Sequence, residues 1–381
     1  MTLALSAADA RRLMLAHHRL DRRVDLGIPE LLDALGCIQL DPLDPMGTNA
    51  DLVVMARLED VAHGEVYERV YANAFEHFAK VRCLLPASAF PHYRARSVEA
   101  EGWRTESRRQ KVDAGLVDAV EAEVRARGPV TAAELEDRGR VVPLDWSGWK
   151  GTAKATSMAL EILWTECRLV VAGRRGRAKL YDVPERALGP AALRPPSEPS
   201  FERWAIVHRA ECAGLLPRRG GPWWSTLDHA RKGPKVDELI AEGALVEVRV
   251  EGVPGTYLST PSFLARETPE PDDELRILGP LDALLWDRRL VKATFGFDYL
   301  WEVYKKAHLR RWGWYVMPLL HRGELVGRLE GRTRDGVLAV ETLWEERRGA
   351  VDLGALDETL AHHAAALGQT HYERPRRAVL G

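Results

Sequence analysis

The sequence has few cysteines, and none is spaced to form a small metal site. No two of them make a CxxC pair, which disfavours a zinc ribbon or a cysteine-held iron–sulfur cluster. Histidine–carboxylate spacing such as His-Glu-x-x-His is also absent. We therefore expect no metal and no other cofactor, and unpaired thiols favour a cytoplasmic setting. The four cysteines are Cys37, Cys83, Cys167 and Cys212.

The chain also lacks the patterns of several other protein classes. No apolar run approaches the roughly 20 residues of a membrane span, and we expect neither a secretory signal nor a membrane partner. Gly-x-Gly-x-x-Gly after a strand and Gly-Lys-Ser/Thr are both missing, which disfavours nucleotide-hydrolysing and dinucleotide enzymes. With 54 Lys and Arg against 56 Asp and Glu, the net charge is −2. Any nucleic-acid surface must therefore be a local basic patch.

The chain of 381 residues is long enough for two to four domains. Three successive segments each consist of predicted helices followed by a β-hairpin that ends at a proline: Pro86, Pro184 and Pro261. Helices followed by a hairpin are the order of a winged-helix unit. An ordinary α+β fold with this order by coincidence stays open as the alternative. The predicted fold is α+β, with three tandem winged-helix units at 1–100, 101–190 and 191–270 and a small C-terminal α+β domain at 271–381.

Capping patterns predict where several helices begin and end. Ser6, with an acid three residues later, predicts a helix that reaches Leu20. A second helix opens at Pro29 and ends at Gly36. Residues 281–294 are also predicted to be helical.

A short apolar run near the N-terminus carries two polar side chains two residues apart. It reads Cys37-Ile38-Gln39-Leu40-Asp41-Pro42. In an extended chain, Gln39 and Asp41 share one face, and Pro42 ends the strand and keeps Asp41 extended. The spacing alone is equally that of an ordinary strand end whose polar residues reach water. A functional interpretation needs support from the rest of the chain.

Arginines are concentrated at one predicted hairpin tip and beside tryptophans in the C-terminal third. Arg174, Arg175 and Arg177 crowd the tip of the second hairpin, a position suited to DNA phosphates. Trp286 precedes Arg288, and such neighbours can stack on bases and hold phosphates. A solvated hairpin tip and the amphipathic edge of a core are the plainer alternatives.

The chain resembles the winged-helix family of bacterial DNA glycosylases that unhook interstrand crosslinks, the YcaQ and AlkZ type. At the front, the resemblance lies in Leu35-Gly-Cys-Ile-Gln-Leu-Asp-Pro42 and in Asn49-Ala-Asp-Leu-Val-Val-Met-Ala-Arg-Leu58. At the back, it lies in Pro280-Leu-Asp-Ala-Leu-Leu-Trp-Asp-Arg-Arg289 and in Met317-Pro-Leu-Leu-His-Arg-Gly-Glu-Leu-Val-Gly-Arg328. The family implies three winged-helix units and a Gln-x-Gln or Gln-x-Asp catalytic motif. This chain has the Gln-x-Asp form, which in the family looks like the branch of broader specificity.

The resemblance implies a glycosylase that acts on double-stranded DNA with alkylated or crosslinked bases, and we expect it to be monofunctional. Asp41 would stabilise positive charge on the deoxyribose, and Gln39 would hold a water, sugar or phosphate oxygen. Asn49 and Arg57 would complete the site or grip a phosphate. Because no lysine precedes Lys80, none is close to Asp41 along the chain and an amine nucleophile is not expected, while a later lysine that is close in space stays open as the alternative. We expect a monomer in the cytoplasm, associated with the nucleoid.

Two other functions remain compatible with the same order of elements. A winged-helix transcription regulator would bind DNA without chemistry, usually as a dimer on a palindrome. A protein-interaction scaffold would use the arginine- and tryptophan-rich turns to bind acidic partners. The Gln39/Asp41 pair and the near-neutral charge favour the enzyme.

Overall fold

The computed structural model describes residues 2–99, 105–142 and 152–381. The chain divides into two compact units. The first combines Met1–Val66, Phe78–Cys83 and Ala205–Gly381, and the second combines Tyr67–His77 and Leu84–Trp204. Neither unit is one of the four sequential segments predicted from the sequence. The predicted boundaries and the number of winged-helix units therefore stay predictions, while the α+β class is confirmed.

The capping signals near the N-terminus act as predicted. The Ser6 hydroxyl accepts a hydrogen bond from the Asp9 N–H, and the helix spans Ala7–His17. It ends before the predicted Leu20, because the chain turns at Arg19, whose φ is +55°. The next helix, Ile28–Leu35, ends at Gly36, whose φ of +70° is a left-handed cap that glycine adopts without strain. A third helix, Asn49–Met55, begins at a capping box formed by Thr48 and Asp51. Further helices before residue 130 are Glu65–Arg69, Phe90–Glu99, Thr105–Arg109 and Ala114–Arg127.

Each predicted hairpin is present. The three pairs are Ala74–Phe78 with Arg82–Pro86, Val170–Arg175 with Ala178–Asp182, and Val246–Val250 with Tyr257–Ser259. In the third, antiparallel pairing joins Val248 to Tyr257, and the N-terminal strand Leu3–Leu5 adds in parallel on the outer side. The helices that precede the second and third hairpins are Ala155–Thr165, Phe201–Ala213, Asp228–Lys232 and Lys235–Ala241.

The C-terminal region is a sheet with one long helix. A sixth strand, Val379–Leu380, pairs in parallel with Val337–Glu345. The other five strands are, in spatial order, Leu275–Ile277, Met317–His321, Glu324–Arg334, Val337–Glu345 and His371–Glu373. The first four pair antiparallel, and the last joins in parallel. The helix Leu353–Ala366 buries Leu356 and Leu360 in the core that the sheet contributes to.

The helix predicted over residues 281–294 begins later than expected. It spans Arg288–Phe295, because the Asp287 carboxylate caps it by accepting the N–H groups of Arg289 and Leu290. The residues before it form a short 3₁₀ turn, Ala283–Leu285. This shift exposes Arg288 and Arg289 at the first turn of the helix. Among the described residues, no helix is both long and apolar enough to cross a membrane.

Candidate active site

Gln39 is held from two sides at the end of a short strand, Ile38–Gln39. Its carbonyl accepts the Asn49 side-chain N–H at 2.8 Å, and the next residue, Leu40, donates its N–H to the Arg82 carbonyl at 3.0 Å. Gly36 permits the turn into this strand, since a Cβ there would lie 2.3 Å from the Cys212 sulfur. The side chain of Gln39 is 8% exposed, so its position is fixed by packing.

Asp41 is a half-buried carboxylate without a cation beside it. Its Oδ1 accepts the Leu43 N–H at 2.9 Å, an Asx turn that holds the side chain against its own backbone. It forms no ion pair with any residue that the structure describes. Burial raises the pKa of Asp41 above its ordinary value, and the hydrogen bond from Leu43 opposes that shift. An unpaired carboxylate of this kind is free to interact with charge that appears on a substrate.

Lys80 lies beside this motif, although 41 residues separate it from Gln39. Its Nζ is 3.2 Å from the Gln39 Oε1 and 4.6 Å from the centre of the Trp286 ring. Burial lowers the pKa of Lys80 to about 8. No lysine is close to the motif along the chain, and the sequence left open that a later lysine is close in space; Lys80 is such a lysine. The pairing of Leu40 with Arg82 brings the hairpin tip to the motif, and the sequence carries no signal for that pairing.

An open cavity of about 670 Å³ adjoins Lys80. Trp286 forms one wall: it is 5% exposed, its Nε1 donates to the Leu281 carbonyl at 2.9 Å, and its ring lies 4.2 Å from that of Trp223. It is therefore held in the wall and does not project as a stacking platform. Arg288 and Arg289 line the same cavity, are exposed, and make no ion pair within the described part of the chain.

The side chain of Asn49 connects the N-terminal strand that carries Gln39 to the distant residue Leu281. Its Nδ2 donates to the Gln39 carbonyl, and its Oδ1 accepts the Leu281 N–H at 2.9 Å. The residue is 0% exposed. The prediction that Asn49 grips a phosphate was wrong, because both ends of its amide are already bound inside the protein. Its contacts instead position the strand that carries Gln39.

The prediction that Arg57 binds substrate was also wrong. Arg57 is 1% exposed and pairs with the fully buried Asp282 through two hydrogen bonds, at 2.8 and 3.1 Å. Its other donors go to the carbonyls of His18 and Val53. DNA could reach this guanidinium only if the core opened. Arg57 is a structural residue that ties the helix Asn49–Met55 to the segment before Trp286.

The three arginines at the tip of the second hairpin, Arg174, Arg175 and Arg177, differ in what they can contact. Arg174 is bound to Glu76 and to the Tyr71 hydroxyl, and these contacts raise its pKa. Arg175 is 63% exposed and pairs with Glu134 at 2.9 Å. Arg177 lies at the exposed tip and forms no ion pair among the described residues. Arg175 and Arg177 are thus accessible, whereas Arg174 holds the hairpin.

Cys37, which shares the motif segment, contacts the thiols of Cys83 and Cys212. The hydrogen bond with Cys212 and burial hold the pKa of Cys37 well above its usual range. All three thiols are buried and free. No group of three or more His, Cys, Asp or Glu in the described ranges is arranged to hold a metal ion. These buried cysteines pack against one another beside the motif.

Residues 32–369 match the family model of the AlkZ-like DNA glycosylases. The chain belongs to that family. The AlkZ-like fold extends over the whole chain: a solved structure of the Streptomyces sahachiroi DNA glycosylase AlkZ matches with a TM-score of 0.60 and 18% sequence identity, covering 98% of this chain and 100% of that one. The protein is a DNA glycosylase and its substrate is DNA. Membership of a DNA glycosylase family favours the enzyme over a transcription regulator that binds DNA without catalysing a reaction.

Proposed function

We propose that this AlkZ-like glycosylase excises N7-alkylated guanine and unhooks DNA interstrand crosslinks by hydrolysing the N-glycosidic bond. The observation that carries the proposal is Asp41, a half-buried carboxylate with no cationic partner among the described residues, two positions after the buried Gln39. A carboxylate left unpaired in a partly dry site costs stability, and such a cost is expected where charge must be stabilised during a reaction.

The proposed chemistry needs one carboxylate and no strong acid. Alkylation at N7 makes guanine cationic, so the base leaves with the electron pair of the C1′–N9 bond and departs neutral. Positive charge develops on the deoxyribose, and the Asp41 carboxylate stabilises it electrostatically. A water oxygen then bonds to C1′, and its proton passes to Asp41 or to solvent. The amide of Gln39 orients this water.

An open site suits a crosslinked base. Most glycosylases flip their target into a tight pocket, but a base that is tethered to the opposite strand cannot be buried in this way. The cavity beside Lys80 is open, and its wall carries exposed Arg288. We propose that Arg288, together with Trp286 as a fixed wall, contacts the substrate nucleotide or its phosphates.

We propose that the enzyme is monofunctional and leaves an abasic site. Lys80 lies beside Gln39, so distance along the chain does not exclude an amine nucleophile. The proposal now depends on protonation: with a pKa of about 8, most Lys80 side chains are ammonium at pH 7, and an ammonium is not a nucleophile. We further propose a monomer that acts on duplex DNA in the cytoplasm, associated with the nucleoid, with Arg175 and Arg177 on DNA phosphates.

Base release tests the proposal. Duplex DNA carrying N7-methylguanine and duplex DNA carrying a nitrogen-mustard crosslink are incubated with enzyme, and free base and separated strands are measured. We expect release from both, with intact abasic strands until alkali or heat is applied. Binding to both duplexes without release at high enzyme concentration would refute the proposed substrates. Strand cleavage without alkali would refute the monofunctional assignment.

A further inference from the structure

Lys80 sits at the tip of the first hairpin in a position that the backbone fixes. The neighbouring Ala79 carbonyl accepts a hydrogen bond from the buried Arg209 at 2.7 Å. The ammonium of Lys80 has two contacts: the Gln39 Oε1 at 3.2 Å and the face of Trp286 at 4.6 Å. No carboxylate within the described residues pairs with it. A partly buried cation without an acidic partner is costly, so its presence beside the motif calls for a functional reason.

The contact with Lys80 determines which way the side-chain amide of Gln39 is oriented. The oxygen and nitrogen of an amide have nearly the same shape, and a half-turn exchanges them. An ammonium has three donors and no acceptor. The Lys80 ammonium can therefore form a hydrogen bond with Gln39 only when the Gln39 oxygen faces it. The Gln39 –NH₂ group, which has no partner among the residues described, then points away from Lys80 as a free donor.

We propose that Lys80 is a positioning residue for the glycosylase reaction, whose ammonium selects the orientation of the Gln39 amide and thereby leaves its –NH₂ group to donate to the attacking water. The inference rests on the proposed function and adds a residue to it. A neutral amine can both donate and accept, so loss of the proton lets the amide turn around. The productive orientation is then no longer selected.

The surroundings of Lys80 put this proton loss near neutral pH. Burial is the main cause of its lowered pKa of about 8, and the Arg288 guanidinium lowers the pKa further. Arg209, on the adjoining helix Phe201–Ala213, contacts the Ala79 carbonyl and is not among the charges that shift the pKa of Lys80. The dry setting and the Arg288 charge together favour the neutral amine.

The remaining titratable groups around Lys80 do not change charge near pH 8. The thiols of Cys83 and Cys37 oppose the shift, and their own pKa values are held well above the usual range. Asp41 is not among the charges that shift the pKa of Lys80, and burial raises the pKa of its own carboxyl above the ordinary value. A change in site geometry centred near pH 8 is therefore attributable to Lys80.

The first measurement is the pH dependence of base release by three proteins. Wild-type kcat should fall as pH rises through about 8. Lys80→Arg keeps a donor-only cation that stays charged to far higher pH. This variant should still release base, and its kcat should not fall as pH rises through about 8. Lys80→Met has no donor, and its kcat should be about tenfold lower than the wild-type value at pH 7, the effect of one lost hydrogen bond, with KM little changed. Lys292→Met, at an exposed site, is the control.

The second measurement needs no activity. The chain has three glutamines, so selective ¹⁵N labelling gives three pairs of side-chain amide signals, and the Gln39 pair is assigned by its loss in Gln39→Ala. The Gln39 signals should shift with a midpoint near pH 8 in the wild type and stay constant in Lys80→Arg. If they do so while no protein releases base, the positioning contact stands and the proposed function fails.

Three results would overturn the positioning role. If the side-chain amide signals of Gln39 do not change with pH, Lys80 does not control the orientation of the amide. An alkaline fall of kcat that persists in Lys80→Arg would assign it to another group. A borohydride-trapped DNA adduct that is lost in Lys80→Arg would show that Lys80 attacks C1′ as a nucleophile instead.

Discussion

The substitution Asp41→Asn separates the proposed chemistry from the structure around it. Asparagine has nearly the same shape, and its Oδ1 can accept the Leu43 N–H that Asp41 accepts now at 2.9 Å. The Asx turn should therefore survive. What disappears is the negative charge beside the deoxyribose. The substitution should change the rate of base release and leave DNA affinity within about twofold, because no phosphate depends on this side chain.

The size of the effect follows from the setting of the carboxylate. Two unit charges about 4 Å apart interact by about 4 kcal/mol at an effective dielectric constant of roughly 20. Because Asp41 is only half-buried, solvent screens part of this energy. At about 1.36 kcal/mol for each factor of ten, we expect kcat to fall by about 10²- to 10³-fold.

Single-turnover release of N7-methylguanine at saturating enzyme measures this effect directly. Asp137→Asn is a matched control, since the Asp137 Oδ1 accepts the N–H two residues on, from Gly139, at 3.1 Å. Its exposed pair with Lys154 contributes little. The control should react at the wild-type rate. Asp41→Asn at more than a third of that rate would remove Asp41 from the mechanism.

The remaining predictions concern pH, stability and DNA binding. Because burial raises the pKa of Asp41 and only the carboxylate is active, wild-type release should fall as pH drops through that raised pKa, and the residual release of Asp41→Asn should lack this fall. Arg57→Met leaves Asp282 buried without its cation and should cost about 3–5 kcal/mol of unfolding free energy in urea titrations, whereas a loss below about 1 kcal/mol would contradict the assigned structural role. Arg175→Ala combined with Arg177→Ala should reduce the slope of log affinity against log salt by about 2 and leave Tm unchanged. Arg174→Ala, which breaks the contacts with Glu76 and Tyr71, should lower Tm. An unchanged Tm would show that Arg174 does not stabilise the hairpin.

The local elements of this protein could be predicted because their signals are local. Ser6 caps its helix through contacts three residues away, and Gly36 ends the next helix through its own φ. The alternation and turn residues of the hairpins likewise lie within a few positions of one another. Such features depend on neighbours along the chain, and a single sequence displays them.

The site residues were harder to predict because their roles depend on distant partners. Arg57 belongs to a segment that resembles the family, and nothing in that segment shows that Asp282, 225 residues later, pairs with it. Asn49 likewise has a partner 232 residues away. A polar side chain that is satisfied inside the protein and one that is offered to a substrate look alike in sequence. Lys80 was missed for the same reason, since its neighbour Gln39 is remote along the chain.

The bridge made by Asn49 has a consequence for how the enzyme becomes active. The amide that supports Gln39 is held by the Leu281 N–H, so the motif gains its full support only when about three quarters of the polypeptide has left the ribosome. A nascent or prematurely terminated chain that ends before this segment carries the Gln39 and Asp41 side chains without the geometry that orients them. We therefore expect a chain that ends before Leu281 to lack base-release activity.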